Sequence, residues 1–254
     1  MVTRRDFLKL SGAALLAATF GRAAEALAAS SPPIIYRGSS RYPRIALTYD
    51  DGYLVTRLRD LLNLLDRFPD FRITLFPVGV ALLSNEGKDK GIWKRYFERG
   101  HEFGYHSWDH TNLAVFDPEE AVTDYDKWYD ALSTVLSTAP KIRFARPPFG
   151  VLSHPFEFMC RERGLTAAMW STGWGGGYEE ASSDVAKVQN GEIVLMHFRK
   201  DDIETSGKAF PTLKERGIQP VTMSALYDDW LRERNQPAGC EASAAPSLTR
   251  TCIE

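Results

Sequence analysis

From residue 44 onward, short apolar runs alternate with segments in which apolar residues recur every three to four positions. The short runs predict strands, and the periodic segments between them predict amphipathic helices that bury one face. The predicted strands span residues 44–50, 73–79, 101–106, 143–147, 165–170, 192–197 and 218–223. Strands that alternate with helices favour right-handed β-α-β units and a parallel sheet. Seven repeats indicate an α/β barrel with one strand fewer than the usual eight, or an open barrel.

Two predicted helices carry additional signals. One opens at Pro118, a residue suited to the first helical position, with Asp117 as the expected N-cap. The other has an apolar face made by five leucines: Leu54, Leu58, Leu61, Leu62 and Leu65.

The length of 254 residues and the formal net charge of -2 suit one large domain with its own core. A charge so close to neutral argues against a nucleic-acid partner, which would require a strongly basic surface. The six tryptophans are compatible with sugar binding, although core packing explains most tryptophans in proteins.

Residues 1–28 predict an export signal. Residues 3–9 (TRRDFLK) resemble the twin-arginine motif of bacteria, residues 10–20 are apolar, and residues 26–28 (ALA) fit a cleavage site. The alternative is an ordinary amphipathic helix that starts with two arginines. Because a membrane span needs about 20 apolar residues, we expect no stable membrane anchor. The expected partner is the twin-arginine export machinery, and the expected location is the periplasm, the medium or the cell surface of a bacterium.

The rest of the chain divides into an extension at 29–43, a barrel at 44–234 and an Ala/Ser/Pro-rich tail at 235–254. Cys160 lies in a helical pattern and is expected to be buried. Cys240 and Cys252 flank part of the tail and could form a disulfide or remain free thiols. None of the three cysteines has the spacing of a metal ligand.

Side chains suited to catalysis end several of the predicted strands. Asp50 and Asp51 end the first strand, His106 ends the third, Arg146 lies at the end of the fourth, and His197 ends the sixth. In parallel barrels the active site forms at the carboxyl ends of the strands. The sequence therefore places these residues on one rim.

Residues 106–110 (HSWDH) contain two histidines that could converge on one divalent metal. Together with one aspartate they would form a three-ligand site with open positions, as a hydrolytic metal requires. Of the adjacent Asp50 and Asp51, one could bind the metal while the other stays free as a base. The sequence Asp-Asp-Gly is also a good turn, and a buried histidine often only satisfies a core hydrogen bond. Their shared rim makes the metal site the preferred interpretation.

Residues 146–150 (RPPFG) place two prolines before Phe149. The prolines restrict the backbone, so the Phe149 amide could be held rigidly towards a developing oxyanion. Arg146 could pair with a carboxylate such as Asp50 and keep it ionised. The alternative is a rigid surface turn with an exposed arginine.

Residues 191–197 (GEIVLMH) form a buried strand that ends in histidine. On the far side of the mouth, His197 suits a general acid that protonates a leaving amine. Leu195 could wall a small apolar pocket.

In this order, residues 48–52 (TYDDG), 106–110 (HSWDH), 146–150 (RPPFG) and 195–197 (LMH) resemble the motifs of the polysaccharide deacetylases of carbohydrate esterase family 4. The resemblance covers about residues 44–230. It implies a distorted (β/α)7 TIM-like barrel that removes N-acetyl groups from glycans such as chitin, peptidoglycan or exopolysaccharide.

The same resemblance implies a role for each matching residue. Asp50 would be the base, and a divalent metal, zinc by first choice and cobalt or nickel otherwise, would be held by Asp51, His106 and His110. Arg146 would be the partner of the base, Phe149 the oxyanion donor and His197 the acid. The expected substrate-binding residues are Leu195, Pro148 and Trp170.

One motif departs from the pattern of the family. The family usually places an aspartate that tunes the acid histidine after a tryptophan at the end of the fifth strand. Residues 170–177 (WSTGWGGG) have Gly173 at that point and could simply form a flexible loop. Asp202 or Glu179 could replace the missing acid. The departure leaves two alternatives open, a non-catalytic glycan-binding or assembly protein and a hydrolase of a small non-peptide C–N bond.

Overall fold

The structure is a computed structural model that describes residues 31–175 and 178–235. The expected export signal (1–28), the residues 236–254 of the tail, and Cys240 and Cys252 lie outside the described residues. Within the described helices, no segment is long and apolar enough to cross a membrane.

Short strands and longer helices alternate along the described chain. The strands are β1 (Ile34–Ile35), β2 (Arg44–Asp51), β3 (Thr74–Pro77), β4 (Glu102–Phe103), β5 (Phe144–Ala145), β6 (Thr166–Ala168), β7 (Thr172–Gly173), β8 (Ile193–His197) and β9 (Gln219–Val221). The helices are α1 (Val55–Asp66), α2 (Gly79–Lys88), α3 (Ile92–Glu98), α4 (Pro118–Leu136), α5 (His154–Arg163), α6 (Tyr178–Lys187), α7 (Lys200–Glu215) and α8 (Met223–Arg234). Two single 3-10 turns span Leu113–Val115 and Pro148–Gly150.

The strands form a distorted (β/α)7 barrel, as the sequence predicts. One sheet has the order β4-β3-β2-β8-β7, with β9 pairing with the first half of β2, and a second has the order β1-β6-β5. The ladders between the described strands are all parallel. A parallel bridge between Tyr105 and Ala145 joins the two sheets. The carboxyl ends of the strands therefore open on one side of the molecule.

The predicted strand around 165–170 is divided in the structure. Its first part is β6, which pairs with β5 and β1, whereas β7 follows after a break and pairs with β8. The stretch from Trp170 onward, which the sequence suggested as a flexible loop, thus begins with a strand at Thr172–Gly173. The predicted N-terminal extension also contributes to the barrel, because β1 pairs with β6.

Strand β2 is the central strand of the larger sheet and is buried on both faces except at its two ends. Parallel strands that are covered on both sides require a nearly continuous apolar sequence, and Ile45, Ala46 and Leu47 meet that requirement. Because β3 and β8 pair with β2 up to Asp50 or Asp51, the carboxyl end of β2 is held on both sides.

The helices pack around this barrel largely as their patterns predict. In α1, the predicted face is buried at Leu58, Leu61, Leu62 and Leu65. Leu54 was wrongly included in that face, because it is the extended N-cap residue of α1 and is 55% exposed. Helix α4 starts at Pro118 with an Asp117 capping box, as predicted.

Candidate active site

The end of β2 brings both carboxylates of the Asp50-Asp51 pair to the same mouth. Neighbouring residues of a regular strand point to opposite faces, but Asp51 has a φ of 76° and leaves that pattern. As a result, Asp50 Oδ2 and Asp51 Oδ1 each lie 3.7 Å from His106 Nε2. The turn continues through Gly52, whose φ of 84° favours glycine.

The loop that carries His106 and His110 is held in an unusual conformation. Ser107 and His110 have φ values of 66° and 68°, a region that costs non-glycine residues of the order of 1–3 kcal/mol. The Ser107 hydroxyl accepts a hydrogen bond from the His110 amide at 2.9 Å. From α4, Asp124 Oδ1 accepts hydrogen bonds from the Trp108 amide at 2.8 Å and the Tyr105 hydroxyl at 2.5 Å. These contacts offset the strain and fix the loop against the barrel.

Three potential metal ligands converge at this mouth. One ligand atom from each of Asp51, His106 and His110 lies within 4.8 Å of the other two. The second ring nitrogen of His106, Nδ1, lies 2.8 Å from the carbonyl oxygen of Arg146, which aims Nε2 at the two carboxylates. Burial lowers the pKa of His106 and so favours the neutral imidazole that coordinates metals. In the described part of the chain, the buried Asp51 Oδ1 has no hydrogen-bond partner, which fits a carboxylate that serves as a cation ligand.

Arg146 lies fully buried beneath the carboxylates, and its donors are well satisfied. Nη1 donates to Asp50 Oδ1 at 2.8 Å and to Thr48 Oγ1 at 2.7 Å. Nε and Nη2 donate to the carbonyl oxygens of Ala168 and Met169 at 3.0 and 3.2 Å. Burial lowers the pKa of Arg146 and the Asp50 carboxylate opposes that effect, but a guanidinium remains charged in proteins. The arrangement therefore fixes Asp50 through Oδ1 and leaves Oδ2 directed at the ligand cluster.

A cavity of about 270 Å³ opens over these groups. Its walls include most of the residues that the sequence singled out, together with three that it did not. The lining residues are Asp50, Asp51, His106, His110, Pro147, Phe149, Gly150, Trp170, Leu195, His197 and Arg199.

That Pro148 contacts substrate stays a prediction. Pro148 is buried at the start of a 3-10 turn, and its neighbours Pro147 and Gly150 line the cavity. The turn carries Phe149 with a φ of 60° and leaves its side chain 68% exposed. The Phe149 ring lies edge-on to His110, with 4.4 Å between the ring centroids. Arg199 was missed, although its position two residues after His197 was a usable signal.

His197 lines the same cavity as the ligand cluster. It ends β8, is paired in register with Asp50 of β2, and its side chain is 25% exposed. Of the two suggested replacements for the missing acid, the structure brings Asp202 to His197, with 3.9 Å between Asp202 Oδ2 and His197 Nδ1. The side chain of Glu179 lies outside the described residues.

A larger groove of about 520 Å³ lies on the outer surface between α1 and α7. Its carboxylates are paired with neighbouring cations, Asp60 with Arg57 and Glu204 with Lys200. The groove lacks the convergent ligands and the acid–base pair of the cavity at the strand ends, which is therefore the better candidate for an active site.

Comparison with known proteins finds relatives by sequence and by fold. The family model for polysaccharide deacetylase matches residues 37–168. The peptidoglycan-N-acetylglucosamine deacetylase PgdA of Listeria monocytogenes is 31% identical over 197 residues, which is 74% of this chain and 40% of that protein. The chain thus spans less than half the length of that relative. A peptidoglycan-N-acetylglucosamine deacetylase of Bacillus cereus is 25% identical over 76% of this chain and 71% of its own length.

Solved structures share the fold. The pseudoenzyme BA3943 of carbohydrate esterase family 4 from Bacillus anthracis superposes with a TM-score of 0.70 and 23% identity, covering 79% of this chain and 70% of its own. The Bc1960 peptidoglycan N-acetylglucosamine deacetylase gives a TM-score of 0.67 and 24% identity, covering 76% of this chain and 92% of its own. At this level of identity the likeness supports the barrel alone.

Proposed function

Because the chain belongs to the polysaccharide deacetylase family, we propose that it is a metal-dependent hydrolase that removes N-acetyl groups from an N-acetylated glycan. The observation that carries this proposal is the convergence of the Asp51, His106 and His110 ligand set with Asp50 and His197 in one cavity. The names of the relatives favour peptidoglycan as the substrate, with chitin and exopolysaccharide as further members of the same chemical class.

In this proposal, Asp51, His106 and His110 hold a divalent cation, with zinc as the first choice and cobalt or nickel as alternatives. One carboxylate and two imidazoles with open positions form a donor set that suits a catalytic zinc ion. When bound, such a cation polarises the acetamide carbonyl and makes water more acidic. The neutral state that burial favours at His106 supports this assignment.

The remaining residues provide acid and base. Asp50 Oδ2 accepts the proton of the attacking water as the water oxygen bonds to the acetamide carbon. Arg146 holds Asp50 in place through a hydrogen bond to Oδ1. The Phe149 amide donates to the developing oxyanion.

His197 completes the reaction as the acid. It gives a proton to the nitrogen as the C–N bond breaks, so that acetate and a free amine on the sugar are the products. Leu195 and Trp170 supply the apolar walls against which the acetyl methyl and the sugar ring lie.

The proposed location is outside the cytoplasm, where cell-envelope glycans occur. Its support is the order of motif, apolar run and cleavage site in residues 1–28. We propose that the twin-arginine machinery exports the extension (29–43), the barrel (44–234) and the tail (235–254).

A glycan panel tests the proposed activity. The purified protein, loaded with zinc, is incubated with N-acetylated chitooligosaccharides, peptidoglycan and an N-acetylated exopolysaccharide, and free acetate is measured. We expect release from at least one of these substrates and none from the Asp50→Asn variant. Absence of acetate from every substrate, with metal bound, would rule out the proposed activity.

Gly173 favours a second candidate, a barrel that binds glycan without hydrolysing it. Such a protein would bind the same glycans in an affinity-electrophoresis or pull-down assay but release no acetate. Asp50→Asn would leave its biological role intact. Complementation of a deletion strain with the Asp50→Asn variant distinguishes the two candidates.

A further inference from the structure

Strand β7 is one of the two strands that pair with β8, and it carries no acidic side chain where one would face His197. In the parallel ladder of β7 and β8, Gly173 is paired with Leu195, and Leu195 shares a face with His197 two residues later. A side chain at position 173 would therefore point towards the mouth. A Cβ there would meet only the Leu195 carbonyl oxygen at 3.6 Å, an ordinary contact.

A carboxylate approaches His197 from a different element. Asp202 lies in the first turn of α7 and is only 1% exposed. Its Oδ2 accepts a hydrogen bond from the His197 amide at 2.8 Å and lies 3.9 Å from His197 Nδ1. The distance of 3.9 Å is too long for a hydrogen bond but within the range of an ion pair, and Nδ1 is the ring nitrogen in that range.

Apart from these contacts with His197, the Asp202 carboxylate has few polar partners among the described residues. Within residues 31–175 and 178–235, its buried Oδ1 has no hydrogen-bond partner, and the His197 imidazole is the basic group in ion-pair range. A buried carboxylate that lacks a counter-ion is costly, so a positive charge on His197 would stabilise it. Burial raises the pKa of Asp202, while the His197 amide and imidazole lower it.

The neighbouring Asp201 provides a comparison within the same helical turn. It is exposed, whereas Asp202 is enclosed, although both residues lie at the amino end of α7. A negative charge at a helix amino terminus is favourable in either place. The burial of Asp202 against His197 is therefore not explained by the helix alone.

We propose that Asp202 is the positioning residue of His197, so that α7 supplies the carboxylate that β7 lacks at Gly173. The proposal rests on the proposed function, in which His197 is the acid. Asp202 holds the imidazole with Nδ1–H towards the carboxylate and Nε2 towards the leaving nitrogen, and it stabilises the protonated ring. Asp50 of β2 is paired in register with His197, and Arg199 lines the same cavity.

The kinetic test compares three variants of the full chain on the glycan that gives acetate. Asp202→Asn keeps an oxygen for the His197 amide but loses the charge, and we expect kcat to fall about 10- to 100-fold with KM and bound zinc unchanged. Asp201→Asn is the matched control and should retain wild-type kcat. Adding Gly173→Asp to the Asp202→Asn variant should restore part of the lost kcat, because position 173 faces the same rim.

A second readout does not depend on turnover. Nitrogen-15 NMR of the histidine side chains at a pH where the ring is neutral reports the tautomer of His197. We expect the Nδ1–H form in the wild type and in Asp201→Asn, and a shift towards the Nε2–H form in Asp202→Asn.

These readouts separate the two proposals. Acetate release by the wild type with equal kcat in Asp202→Asn and Asp201→Asn would overturn the role of Asp202 and leave the activity intact. No acetate release by the wild type would overturn the activity, and the tautomer would then decide the role of Asp202: a shift in Asp202→Asn supports it, and no shift overturns it.

Discussion

Arg146 Nη1 donates a hydrogen bond of 2.8 Å to Asp50 Oδ1, and both side chains are almost completely buried at the carboxyl end of the barrel. The same guanidinium binds Ala168 and Met169, which lie at and just after the end of β6. The ion pair therefore ties the position of Asp50, the expected catalytic base, to the packing of the barrel strands. It joins β2 to the strand region that carries Trp170.

This link predicts coupled effects on stability. Replacing Arg146 with Met leaves Asp50 buried without a counter-ion, and we expect the free energy of unfolding to fall by about 3–5 kcal/mol. Asp50→Asn should also destabilise, and the double variant should lose clearly less than the sum of the two single losses. Urea unfolding of the four proteins measures the coupling. Additive losses would show that the two side chains do not act as a pair.

Metal binding should depend on Asp51 and not on Asp109, its exposed counterpart in the histidine loop. We expect the wild type to retain about one divalent ion per chain and the Asp51→Asn variant to lose it, whereas Asp109→Asn keeps it. A free metal concentration roughly 100 times the Kd should stabilise a metal-binding protein by about 2.7 kcal/mol. A chelator should accordingly lower the Tm of the wild type and of Asp109→Asn but not of Asp51→Asn. An equal shift in Tm in all three proteins would mean that the metal binds at a different site.

Asp124 should act on metal affinity without being a ligand. It accepts hydrogen bonds from Tyr105 and Trp108 and so holds the loop in which His106 and His110 lie. Replacing it with Ala should weaken zinc binding about 10- to 100-fold, the usual range for residues that orient ligands. Asp126→Ala is the control, because Asp126 lies on the same helix and pairs with Arg163 at the surface. Equal zinc affinities in a competition titration would contradict the proposed support of the loop.

Much of the barrel and its rim is predictable from sequence because local patterns determine it. The apolar run of β2 and the polar residues that follow it place Asp50 and Asp51 at a strand end, and the parallel topology brings that end beside His106 and His197. The turn at Asp51, with its φ of 76°, is not visible in the pattern, but Gly52 after it indicates a break.

The features that the sequence missed depend on tertiary contacts. The division into β6 and β7 depends on which neighbouring strand each segment meets. Pro147 and Pro148 are adjacent prolines of one motif, and the sequence alone does not indicate that Pro147 lines the cavity. The sequence offers Asp202 only as one of two replacements for the missing acid, and its burial against His197 emerges only when α7 packs on the barrel.

His101 should make stability depend on pH. It is buried, its Nδ1 accepts a hydrogen bond from the Ile73 amide, and burial lowers its pKa from about 6.5 to about 4. The unfolded chain therefore binds more protons between these values, so stability rises with pH there and is lost as pH falls from about 6.5 towards 4. Lowering the pH from 7 to 5 should reduce the free energy of unfolding by about 2 kcal/mol through this group alone.

The variant His101→Asn isolates this contribution, because its amide oxygen can replace the Nδ1 acceptor without titrating. We expect the loss of unfolding free energy from pH 7 to 5 to be smaller in the variant than in the wild type by about 2 kcal/mol. Parallel pH dependences in the two proteins would mean that His101 is accessible to protons in the folded state.

The proposed activity is tested most directly by measuring acetate release from an N-acetylated glycan as a function of bound zinc, in the wild type and in Asp50→Asn. We expect release by the wild type to rise in proportion to the zinc bound. Asp50→Asn should bind zinc through Asp51, His106 and His110 yet release almost no acetate. Release that is independent of zinc, or that persists in Asp50→Asn, would contradict a metal-assisted deacetylation in this cavity.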